Sequence, residues 1–144
     1  MALLRPRGGA LAPPRRRRRV GDLEVSLALT PEVPQVGGYV RSHVVLRDGR
    51  GPVTDAEPFA GALAHFVFVQ GDGESILHVH GGSDAFGHFQ NFRDPPGYGG
   101  PKLYLTPPFG DADTYRIFAH FQRGQTRYTV PFDVEVVLPG PGER

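Results

Sequence analysis

Three of the six histidines in this chain of 144 residues fall within one stretch, residues 64–81, AHFVFVQGDGESILHVHG. His78 and His80 are spaced to share a face if the segment is a β-strand, because successive strand side chains alternate sides. Two β-rich runs, residues 65–70 and 75–80, flank Gly71-Asp72-Gly73-Glu74, whose residue types close hairpins. A four-residue turn sets Val69 opposite Ile76, Val67 opposite His78, and His65 opposite His80. Directly paired side chains lie on one side of the ladder with Cβ atoms roughly 4.5–5.5 Å apart. His65, His78 and His80 then line one face, and Phe66, Phe68, Leu77 and Val79 the other. A slip of one residue would send His65 into the apolar set, so hydrophobicity and histidine placement demand the same register.

Three neutral imidazoles suit Zn(II) or Cu(II), with bonds of roughly 2.0–2.1 Å for zinc. His120, His88, an acid or water is the candidate fourth ligand. The competing reading leaves these side chains as histidines of a solvated sheet face, or as structural hydrogen-bonding groups. Three histidines and a water also make the zinc-hydroxide arrangement of hydrolytic enzymes. That chemistry needs a polar pocket with an acid or base, and the nearest downstream acid is Asp84. A cupin centre needs Glu four or five residues after His-x-His, where this chain has Asp84 and Ala85. The expectation is therefore metal binding without catalysis.

Composition removes other chemistries. The chain has no cysteine and its one methionine is Met1, which excludes disulfides, zinc ribbons, iron–sulfur clusters, thiol nucleophiles and sulfur-ligated copper. His43 stands alone on its strand and reads as solvated. Asp111 and Asp113 read as turn formers rather than calcium ligands. Arg116, Arg123 and Arg127 form a modest basic cluster, better explained by ion pairing with Asp133 or Glu135.

Twenty glycines and fifteen prolines disfavour long helices, and no segment sustains a 3.6-residue period. Residues 22–29 place Leu23, Val25, Leu27 and Leu29 on one face. Residues 39–47 turn Val40, Ser42, Val44 and Leu46 inward. After the central hairpin come short strands at 102–106, 115–122 and 126–137. Tyr115, Ile117, Ala119 and Phe121 face the core, as do Val130, Phe132, Val134 and Val136. An Asp shortly before Tyr115 at a strand entry resembles the tyrosine corner of immunoglobulin-like sandwiches. Residues 81–101, with Phe86, Phe89, Phe92 and Tyr98, read as a long aromatic loop near the hairpin. The expected fold is all-β, an immunoglobulin-like antiparallel sandwich of about seven strands.

Three parts are expected: a disordered Arg/Pro/Gly-rich tail over residues 1–19, a β-sandwich domain over 20–138, and a short polar tail over 139–144. Residues 1–19 carry seven arginines and no acid, whereas residues 20–144 carry nine basic residues against fifteen acids. The basic tail admits weak nucleic-acid or membrane-surface contact, with a solvated tail as the simpler reading. No apolar run approaches the ~20 residues of a membrane span. No export signal is read, since Val20-Gly21-Asp22 follows the arginines where an apolar h-region would stand.

The stretch from Leu27 to Val137 resembles small bacterial β-sandwich domains of the YtkA-like and FixH-like type. The resemblance rests on Leu29-Thr30-Pro31 with Gly37, Leu46-Arg47-Asp48-Gly49, and Pro52-Val53-Thr54-Asp55. It continues through residues 59–69 (FAGALAHFVFV), Leu77-His78-Val79-His80, Tyr115-Arg116-Ile117-Phe118 and Phe121-Gln122. That pattern carries GH before the apolar strand and LHVHP after the turn; here Ala64 and Gly81 replace its Gly and Pro. The resemblance implies secreted or membrane-anchored proteins near metal-handling genes. The reading it supports is a copper(II)- or zinc-binding domain in metal handling or sensing, in an extracytoplasmic setting, with a membrane-associated protein as partner. The alternatives are a protein-interaction module with incidental histidines and, behind it, a three-histidine zinc hydrolase.

Overall fold

A computed structural model describes residues 16–83 and 99–140. All regular structure in the described residues is β: nine strands in two antiparallel sheets and no helix. The first sheet joins β1 (Arg17–Val20), β2 (Leu23–Thr30), β3 (Arg41–Asp48), the two-residue β4 (Gly51–Pro52) and β7 (Lys102–Leu105). β4 and β7 both pair with β3. The second sheet runs in the order β6 (Ile76–Gly81), β5 (Ala64–Gln70), β8 (Asp113–Arg123) and β9 (Thr126–Val136).

Period-2 alternation decides which side chains the sheets bury between them. Leu23, Val25, Leu27 and Leu29 of β2 meet Val44 and Leu46 of β3 on the inner face of the five-stranded sheet. Phe66 and Phe68 of β5, Ile117 and Phe121 of β8, and Phe132 and Val134 of β9 supply the opposing layer. Each such large apolar side chain contributes roughly 1.5–3 kcal/mol on burial. The inward residues of β8 and β9 are the ones alternation predicts. Tyr115 donates its hydroxyl to the Asp111 carbonyl at 3.0 Å, which pins the entry of β8.

Two features depart from the sequence-based expectation. Arg17, Arg18 and Arg19, assigned to the disordered tail, pair with Ser26, Val25 and Glu24 as strand β1. Two of the side chains find partners: the exposed Arg17 pairs with Glu24 at 3.1 Å, and Arg18 Nε donates to the Pro131 carbonyl of β9 at 2.9 Å. Leu77, expected on the apolar face with Phe66 and Phe68, is 44% exposed. β6 is the edge of its sheet, and only the end near Gly81 lies under the opposing layer. There Gly82 exchanges both backbone hydrogen bonds with Tyr104 of β7, so the two sheets meet at this corner. A Cβ on Gly81 would stand 2.5 Å from the Phe66 ring and 2.6 Å from the Tyr104 carbonyl oxygen, which restricts the position to glycine.

Candidate metal centre

The hairpin that carries the histidines closes in the register the sequence demands: Val69 with Ile76, Val67 with His78, His65 with His80. Gln70 accepts from Gly73 at 2.7 Å and donates to Ser75 at 3.0 Å, and Gly73 takes the positive φ of 80° that a glycine allows. The three imidazoles come together on the outer face of the four-stranded sheet. Their candidate ligand atoms all lie within 4.8 Å of one another. His65 is buried, while His78 and His80 are exposed on the edge strand.

The closest approach is 3.2 Å, between His65 Nδ1 and His78 Nε2. A tetrahedral zinc with bonds of 2.0–2.1 Å separates its ligand atoms by roughly 3.3 Å, so this pair already stands at coordination distance. The His65 and His78 rings are nearly parallel, 6° apart, and His80 stands edge-on to both at centroid distances of 4.6 and 5.2 Å. His65 Nε2 lies 2.8 Å from the Phe59 carbonyl oxygen. A carbonyl only accepts, so Nε2 carries the proton, and in the neutral ring Nδ1 presents a lone pair to His78. A backbone carbonyl on the far nitrogen is the usual way a protein orients a ligating imidazole. Burial lowers the pKa of His65, and the neighbouring His80, His78 and His120 lower it further against the opposing effect of the Phe59 bond. The ring is thus held in the neutral form that a cation binds.

His120 sits on β8 directly across from His65. Its Nδ1 is 3.0 Å from the Thr129 hydroxyl, and it is not a member of the three-histidine group. Burial, then the proximity of His78, lowers its pKa. His43, expected to be solvated, is half-buried on the other sheet, where its ring lies 5.4 Å from its cross-strand partner Tyr104. Asp84, His88 and the aromatic loop fall outside the described residues. Arg116 pairs with Asp133 at 2.8 Å as anticipated, whereas Arg123 reaches Asp48 and Asp55, both at 2.8 Å. Asp111 accepts from Gln70, and Asp113 from the backbone of Thr114, as turn formers do.

Phe59 is the participant that sequence reasoning passed over. Its carbonyl holds His65, and its ring lies 4.6 Å from the His65 ring. The only local signal was Gly61 just ahead of β5, since Ala60 is not a residue that favours the positive φ it takes here. No curated protein and no solved structure matches the chain. Residues 18–137 match the domain of unknown function DUF8832, and the chain belongs to that family.

Proposed function

We propose that this domain binds one divalent cation, Zn(II) or Cu(II), through His65, His78 and His80, and that it serves metal handling or sensing without catalysis. The observation that carries this reading is the pairing of His65 Nδ1 with His78 Nε2 at 3.2 Å while the other nitrogen of His65 is tied to a carbonyl. In the metal-free protein a proton lies between those two nitrogens; a cation takes its place, and His78, exposed to water, exchanges its tautomer freely. His120, one strand away, is the proposed fourth ligand, with water as the alternative at that position.

The resemblance to YtkA-like and FixH-like domains supports an extracytoplasmic setting and a membrane-associated protein partner, and the Tyr115 corner supports an immunoglobulin-like arrangement of the sandwich. A second reading has its own support: Ile76 and Leu77 are exposed on edge strand β6, as a protein-interaction module would have them. Calorimetric titration with Zn(II) and Cu(II) separates the two. The metal reading expects one equivalent bound with release of protons; the module reading expects no stoichiometric binding.

A further inference from the structure

We infer that the connector between the two sheets and the β8–β9 turn together form the outer support of the histidine site, with Phe59 and Arg127 as positioning residues that fix which nitrogen of His65 faces the metal. The inference rests on the proposed metal site for its functional part. Three alternate residues of this connector (residues 53–63, between β4 and β5), Asp55, Glu57 and Phe59, are fastened to the same hairpin. Asp55 accepts from Arg123 Nε at 2.8 Å. Glu57 accepts from the Gln122 side chain and from the Gln125 backbone, both at 2.9 Å, and its own N–H donates to the Gln122 carbonyl at 2.7 Å. Phe59 lies under the Arg127 guanidinium, 4.6 Å from ring centroid to Cζ, and Arg127 is itself held by Gln122 at 2.9 Å.

Just beyond this fastening the chain reverses. Phe59 and Ala62 exchange backbone hydrogen bonds of 2.9 and 3.2 Å around Ala60 and Gly61. Both central residues have positive φ, 50° and 92°, the conformation of a tight primed turn. A left-handed alanine costs of order 1 kcal/mol, so the turn persists because its surroundings impose it. Its consequence is that the Phe59 carbonyl points at His65 Nε2 while the Phe59 ring covers the His65 ring. Arg127, Phe59 and His65 therefore form one line of contacts, Arg127 over the Phe59 ring and the Phe59 ring tilted against that of His65, that runs from β9 to the metal site.

The test reads the ring nitrogens of His65 by long-range proton–nitrogen NMR in the metal-free protein, alongside Zn(II) affinity. Wild type is expected to show the proton on Nε2. Gly61→Val, which a β-branched side chain at φ 92° strains, is expected to mix the tautomers and weaken zinc binding about 10–100-fold, the usual cost of losing an outer partner. Ala60→Gly keeps the turn and both readouts. Arg127→Met, a surface change that leaves the backbone intact, is expected to weaken binding about two- to fivefold. A proton on Nδ1 in wild type overturns the inference, as do Gly61→Val and Arg127→Met variants that retain the wild-type tautomer and affinity. Should wild type bind no zinc yet show the Nε2 proton and lose it in Gly61→Val, the metal reading falls and the positioning role stands.

Discussion

His43 and His65 begin from the same sequence circumstance and end in different ones. Each occupies an outward position of a strand whose alternate residues fill the core. On the five-stranded sheet His43 leans on Tyr104 and remains half-buried, with Lys102 close enough to lower its pKa further after burial has done so. On the four-stranded sheet the connector crosses the outer face, and His65 is left only 6% exposed beneath Phe59. Strand alternation chooses a face for a side chain; the segment that passes over that face decides whether it is solvated, neutral and oriented. A histidine becomes a candidate ligand here because its second nitrogen is already occupied.

Metal titration should separate the two regions most widely. His78→Ala or His80→Ala is expected to weaken Zn(II) or Cu(II) binding by more than the roughly 10–100-fold that an outer partner is worth. His43→Ala should leave the calorimetric affinity unchanged. Equal losses at all of these positions, including His65, would reduce the site to nonspecific imidazole binding and erase the contrast.

Stability offers a second separation. His65→Ala opens space beneath the connector and removes a buried hydrogen bond, and urea denaturation should report a loss of about 2–3 kcal/mol. His43→Ala should cost about 1 kcal/mol or less. Comparable losses would mean that the Phe59 turn collapses readily onto the smaller side chain.

The pH response comes next. His43, His65 and His120 all have pKa values lowered by burial from the ordinary imidazole value near 6.5. The unfolded chain therefore takes up protons before the folded one does. Stability should be complete above about pH 6.5 and decline as the pH falls through the lowered folded values. Urea midpoints across that range check it, and in the metal-free protein His65→Gln should flatten part of the decline.

The smallest effect isolates the neighbour of His43. Lys102→Gln removes a nearby positive charge, so the NMR titration of His43 should move up toward its ordinary value while that of His65 stays in place. Movement of both would show that the two outer faces are electrostatically linked.

Much of the site was legible in the chain because the information is local. The spacing of His78 and His80, the Gly/Asp turn and the apolar residues around them leave one register, and that register pairs His65 with His80. Leu77 shows the limit of such reasoning. Its alternation is that of a core residue, but it lies on an edge strand that the opposing layer does not reach. Arg17 to Arg19 show the converse: composition reads them as a solvated tail, yet an extended chain beside β2 satisfies its backbone, and Arg18 reaches the Pro131 carbonyl of β9.

The sequence by itself determined the all-β class, the inward residues of β2, β8 and β9, and the common face of the three histidines. All of these follow from a two-residue period and turn chemistry within a few positions. Tertiary structure decided the strand order, the exposure of β6, the role of the arginine strand, and the cover over His65. Those depend on contacts between segments far apart in the chain, such as Glu57 with Gln122 and Phe59 with Arg127, and no local pattern encodes which distant partner a connector will meet.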